Sequence, residues 1–218
     1  MQCTKKLRQD WDIEGLDYDS PWPHTSTGDS LPLCKVWLQE CYKSHNGCAP
    51  SGARDLPTRL IYIAEITPRL CLSGELDKSI RYATLSHCWG LVKFPDLTTG
   101  SFGAFCQSIP SQALSKTFRD AIYIARYLGF SYLWIDSLCI FQDSEEDWAR
   151  ESSSMAKVYG GADLNIAASS ARDGRDGCFF NRPSNWRCQV RVHTTEGEVL
   201  YDAVADQSLS PRSMTEAG

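Results

Sequence analysis

Short apolar runs punctuate this chain, and two of them break off in reactive side chains. Residues 82–90 (YATLSHCWG) and 132–142 (YLWIDSLCIFQ) each open like a buried or half-buried strand and then turn polar. Ser86, His87 and Cys88 end the first, and Asp136, Ser137 and Cys139 end the second. Between them Phe118, Ile122 (or Ala121), Ala125 and Leu128 recur at helical spacing, with Ser115 placed as an N-cap and Gly129 at C′. The pattern predicts a helix over 116–128, and therefore a βαβ unit whose two strands run parallel. Working groups in open parallel sheets collect beyond the carboxyl ends of the strands. Both polar endings are thus predicted to meet at one site.

The remaining elements follow from the same signals. Leu33, Val36, Trp37 and Cys41 predict a short helix over 33–42, followed by a loop carrying His45, Gly47, Cys48 and Pro50. Residues 59–66 (RLIYIAEI) read as a strand stopped by Pro68, with 70–72 as a hairpin partner. The stretch 94–110, with Gly100, Gly103 and two prolines, is expected to be a long lid or binding loop. A second helix begins at Ser144, with Asp147 in a capping box, and runs to Tyr159 before Gly160-Gly161 ends it. Residues 163–168 (DLNIAA) predict a third parallel strand ending in Ser169 and Ser170. Residues 189–193 and 198–201, joined through Glu196-Gly197, predict a hairpin. No internal repeat is visible. The expected organisation is a mobile arm (1–30), an extension with a helix, a Cys/His loop and a strand pair (31–78), an α/β core (79–183), and a hairpin with a tail (184–218). The expected fold is α/β, a parallel sheet with helices on both faces.

Composition narrows the possible roles. A chain of 218 residues holds one full domain with smaller additions, and 42% hydrophobic against 22% charged residues is an ordinary globular balance. The net charge of −5 and the lack of a basic run argue against nucleic acid as a partner. No apolar segment approaches the roughly 20 residues that span a bilayer. The opening MQCTKKLRQDWDIEG lacks the apolar core of a signal peptide, so a cytoplasmic location is expected. Ten cysteines in that setting are expected to stay as thiols.

Candidate chemistry centres on a few side chains. Trp148, Met155, Tyr159 and Ala162 mark an apolar stripe on the second helix, and Glu151 falls on it. A carboxylate there must be paired or hydrogen-bonded. It is a site group, or a structural Glu held by backbone amides, or it lies at the edge while Ser152 faces inward. Asp136 is a site group or a cap for the turn that follows it. His87 and Cys88 are neighbours on a strand, so they point to opposite faces and form no nucleophile–base pair. A cysteine hydrolase would need Cys88 or Cys139 matched to a distant histidine. Trp89-Gly90 suggests a tight turn that lays an aromatic ring over the strand end. Cys34, Cys41, His45 and Cys48 offer four zinc-type ligands within 15 residues, at irregular spacing. There is no glycine-rich phosphate loop.

Taken together, YATLSHCWG, LSKTFRDAIYIARYLGFSYLWIDSLCIFQD, and DW followed by Glu151, Met155 and Tyr159 resemble the fungal heterokaryon-incompatibility domain. The flanks WLQECYKSHNGC and GCFFNRP extend the resemblance over residues 33–183. It implies a part in non-self recognition and programmed cell death, through self-association or another death-signalling protein. It also implies a flavodoxin-like fold related to Toll/interleukin-1 receptor (TIR) domains. Some TIR relatives hydrolyse NAD with a glutamate near the strand ends. By that analogy Glu151 would steady the ribose as positive charge develops, with Asp136 and His87 beside it. Ser86, Cys88, Trp89, Gly90, Ser137 and Cys139 would line the pocket. The family's Arg-x-Trp-x-x-Gln-Glu motif has no counterpart in the final SLSPRSMTEAG, which leads to the expectation of a truncated or mis-spliced form.

Overall fold

The computed structural model describes residues 30–45, 55–181, 187–194 and 197–204. Ser30–Phe180 make one compact unit, and a second takes in 1–29 and 181–218. The expected mobile arm, the position of Cys48 and the final tail lie outside the described residues.

The larger unit contains α1 (Ser30–Ser44), β1 (Arg59–Tyr62), β2 (Arg69–Leu72), β3 (Ala83–Ser86), α2 (Phe102–Gln107), α3 (Lys116–Tyr127), β4 (Tyr132–Trp134), α4 (Asp136–Cys139), α5 (Glu145–Gly161) and β5 (Leu164–Ala167). Five strands form one sheet in the order β2-β1-β4-β3-β5. β3 pairs parallel with both β4 and β5, which bears out the predicted βαβ unit and third parallel strand. Its middle is sealed: Leu60, Ile61, Ala83, Leu85 and Leu133 have no exposed surface, and neither does the polar Thr84 between Ala83 and Leu85. Among the described residues, no helix is long and apolar enough to cross a membrane.

The sheet is mixed rather than parallel throughout. β1 and β2 form the predicted hairpin, and β1 then joins β4 in antiparallel register, Ile61 opposite Leu133 and Tyr62 opposite Tyr132. A hairpin reverses direction within a few residues, whereas parallel neighbours need a long crossover. The strand pair expected in a separate extension therefore belongs to the core sheet. Antiparallel pairing also sets the start of β1, with Arg59, at the carboxyl end of the parallel strands.

α3 is built as its sequence dictates. The Ser115 hydroxyl accepts from the Phe118 amide at 3.1 Å, and Gly129 stands at φ 91° just past the last turn. The stretch 94–110 is not an open lid. The Ser101 and Thr98 hydroxyls bond each other's backbone amides and start α2, while Leu97, Phe105 and Ile109 are buried. Leu97 further anchors the stretch, donating to the Ser137 carbonyl at 2.8 Å and accepting from the Gln142 amide at 2.8 Å.

α5 starts at the predicted cap, where Ser144 accepts from the Asp147 amide. Its inward stripe is rotated by one residue from the expected one. Asp147, Glu151 and Val158 are buried, and Trp148 is 57% exposed. The Asp147 side chain completes no capping box. It faces inward and pairs with Arg59, and this contact sets the roll of the helix. The second unit is described through the backbone of β6 (Arg187–Thr194) and β7 (Gly197–Val204), an antiparallel hairpin at the predicted turn.

Candidate functional site

The carboxyl ends of β3 and β4 lie side by side, and the residues after them meet. Asp136, the first residue of α4, is the centre. The Trp89 indole Nε1 donates to its Oδ2 at 2.8 Å, and the Ser137 amide donates to its Oδ1 at 2.7 Å. His87 Nδ1 lies 3.7 Å from Oδ1, beyond hydrogen-bond reach but within charge reach. The His87 ring stacks with Trp89 at 6.2 Å and meets the edge of Phe118 at 5.0 Å. Asp136 therefore accepts from its own turn, at the Ser137 amide, and anchors the loop after the neighbouring strand through Trp89.

Gly90 makes this arrangement possible. It adopts φ 65°, and a Cβ there would overlap the Cβ of Asp173 and stand 3.1 Å from the Arg172 carbonyl. The loop after β5 thus packs directly against the loop after β3. Arg175 holds Asp173 through both carboxylate oxygens, at 2.6 Å from Nη2 and 3.0 Å from Nε. The carbonyl of Gly174 accepts from the Thr117 amide at 3.0 Å, which ties the loop to the first turn of α3.

These loops enclose a cleft of about 450 Å³, walled by Trp89, Phe94 and Phe118, with Lys93, His87 and Ser137 among its polar lining. Two of the lining residues each carry a buried polar atom without a hydrogen-bond partner, His87 Nδ1 and Ser137 Oγ. The His87 side chain is 4% exposed and Ser137 5%. Leaving a buried polar group unpaired costs about 1–3 kcal/mol, and most such atoms in native proteins are satisfied.

Burial pushes the His87 pKa below its ordinary 6.5, and the Asp136 charge opposes this without overcoming it. The sign for stability follows. As pH falls through the ordinary imidazole range the unfolded chain takes up the proton first, so stability declines. The decline continues until pH has passed the lowered folded-state value. In urea titrations between pH 7.5 and about 5, His87→Asn is expected to flatten this slope. An equally steep slope in the variant would show that His87 is not its source.

Not every expected site residue joins the cleft. Glu151 is the inward residue, as its stripe required, and Ser152 instead bonds the Ala149 carbonyl. The Glu151 carboxylate accepts from Thr58 Oγ1 at 2.7 Å and from Arg150 Nε at 3.2 Å. It belongs to an ionic cluster in which the buried Arg59 pairs with Asp147, and the exposed Arg150 pairs with both Asp147 and Glu151. Arg59 also donates to the Cys139 carbonyl at 3.1 Å and lies 4.5 Å over the Phe141 ring. The short helix α4 thus presents Ser137 to the cleft and its last carbonyl to the ionic cluster. From sequence Arg59 had no role beyond opening a strand, and Asp147 was read only as a capping residue. The available signal was an arginine opening an apolar strand and an aspartate four residues before an inward glutamate.

The cysteines separate clearly. Cys139 is buried, and burial pushes its thiol up to about 12, which removes it as a nucleophile. Cys88 is exposed, whereas the His87 side chain beside it in sequence is buried. Ser86 sits at the strand end, its carbonyl accepting from the Ala168 amide at 2.9 Å. The seven cysteines whose side chains are described form no disulfide. Cys34 and Cys41 lie on α1, and His45 follows its end. Among the described residues, no three His, Cys, Asp or Glu side chains gather as metal ligands do.

A family model described as "Heterokaryon incompatibility protein (HET)" matches residues 82–215, more than half of the chain. The match begins at β3 and takes in every residue of the cleft. Neither the comparison with curated proteins nor that with solved structures yields a match.

Proposed function

The chain belongs to the heterokaryon-incompatibility (HET) family, and from that premise we propose that it acts in fungal non-self recognition and programmed cell death. Its part is that of a cytoplasmic signalling domain that assembles with copies of itself or with another death-signalling protein. The observation that carries this reading is the loop after β3, where Leu91 is fully exposed and Trp89 is 46% exposed. Large apolar side chains presented together are what an association surface needs. The Trp89–Asp136 bond holds the loop in one form, which lowers the ordering cost of association. Glu151 supports the same reading from the other side. The carboxylate best placed by analogy for chemistry is buried and engaged by Thr58 and Arg150.

The test is to express the chain in a fungal host, score growth, and follow the purified chain by light scattering. Leu91→Asp is expected to abolish growth arrest and self-association with the melting temperature unchanged. A variant that arrests growth and associates like the wild type overturns the reading, as does a wild type that leaves growth unaffected. A second reading, TIR-like hydrolysis of NAD, draws its support from the unpaired His87 Nδ1 and Ser137 Oγ in the cleft. There His87 and Asp136 would carry the chemistry and Glu151 would stay structural. Nicotinamide release from NAD separates the two readings.

A further inference from the structure

The roll of α5 that turns Asp147 towards Arg59 leaves the neighbouring Trp148 facing water. The Trp148 ring makes no ring contact and no hydrogen bond among the described residues. With Gln142, Asp143, Ser144 and Glu145 it lines a shallow groove of about 570 Å³. Asp143, Glu145 and Glu146 are exposed, and Arg150, the next cation along α5, is already engaged by Asp147 and Glu151. Acidic residues in a first turn favour the helix dipole, which accounts for two of these carboxylates. It does not account for the tryptophan beside them, and tryptophan is a residue that protein interfaces favour.

The loop after β3 carries the opposite combination. Leu91 and Trp89 are exposed, and the exposed Lys93 follows on the same loop. Arg172 is exposed as well and comes from the loop after β5, where its carbonyl would stand 3.1 Å from a Cβ on Gly90. Among the described residues, neither Lys93 nor Arg172 takes part in an ion pair. One surface is therefore apolar and basic, and the other is aromatic and acidic. Both are open in the single chain, so they do not cover each other.

We propose that the loop after β3 of one copy docks on the Trp148 groove of a second copy. Leu91 meets Trp148, and Lys93 and Arg172 face Asp143, Glu145 and Glu146. The contact is heterologous: each copy presents one surface of each kind, so the assembly grows head to tail. Opposite charges steer loop to groove, while two loops or two grooves repel each other. This rests on the assembly reading and names the surface that receives the loop.

The experiment follows the full chain by analytical ultracentrifugation. It compares Glu145→Lys/Glu146→Lys, Lys93→Glu/Arg172→Glu, and an equimolar mixture of the two. Each reversal alone sets like charges across the contact, and each is expected to stay monomeric. The mixture restores opposite charges at every contact, so it should associate as the wild type does, and added salt should weaken that association. Trp148→Ser keeps every charge and should weaken self-association on the order of tenfold or more, as truncated hot spots do. It should melt with the wild type, because the lost ring is exposed. Wild-type association by Glu145→Lys/Glu146→Lys, or by Trp148→Ser, overturns the inference and leaves the loop docking elsewhere. A mixture of folded variants that stays monomeric overturns it too. A wild-type chain that never associates instead overturns the assembly reading, and the inference falls with it.

Discussion

Asp147→Ala is expected to destabilise the fold by about 3–5 kcal/mol, the cost of stranding a buried charge. Arg59 is 3% exposed, and Asp147 is the one carboxylate bonded to it among the described residues. Without that carboxylate the guanidinium keeps the Cys139 carbonyl and the Phe141 ring, which satisfy its shape but not its charge. The Phe141 amide loses its acceptor as well, a bond of 2.9 Å. Urea denaturation of the single variant and of Arg59→Met/Asp147→Leu checks this. Removing both charges should cost less than removing one, because apolar replacements of buried pairs are often tolerated. A single variant within about 1 kcal/mol of wild type, which is the ordinary range for exposed pairs, would show that the cluster is solvated. The consequence reaches the site, since the same Arg59 braces the end of α4 whose beginning is Asp136.

Gly90→Ala is expected to cost about 2–5 kcal/mol, from left-handed strain and from overpacking against the next loop. The position has φ 65°, and the added Cβ would overlap Asp173, whose place is fixed by Arg175. Gly129→Ala is the control. Its φ is 91° but nothing lies within 4 Å, so only the backbone strain of about 1–2 kcal/mol applies. The Gly90 variant should also draw Trp89 away from Asp136 and raise the solvent exposure of its indole, read by fluorescence quenching. Equal losses at the two glycines would mean that the loops after β3 and β5 do not pack as tightly as the structure places them.

Local patterns account for what was legible in the chain. Ser115 and Gly129 mark the ends of α3 because caps are decided within one turn of helix. The parallel pairing of β3 with β4 followed from a helix-length crossover, which leaves little choice of direction. The inward Glu151 was legible because a 3.6-residue period places it on a buried face whichever of Asp147 and Trp148 leads the stripe. The polar endings at His87 and Asp136 were legible as neighbours because strand ends of a parallel sheet gather on one edge.

What remained hidden depends on partners far apart in the chain. Trp89 and Asp136 are 47 residues apart, and Arg59 and Asp147 are 88 apart. Neither pair leaves a trace in any local period. The choice of Asp147 over Trp148 for the inside of α5 was made by Arg59, which opens a predicted strand whose antiparallel pairing with β4 no motif announced. The same distant pairing separated two carboxylates that looked equivalent. Asp136 holds the turn beside the cleft through Trp89 and the Ser137 amide, while Glu151 is buried and bonded to Thr58 and Arg150. Residue type and spacing named the elements and the edge where chemistry would gather. Which polar group was left free there was decided by packing, because each long-range contact satisfies one side chain and thereby leaves another without a partner.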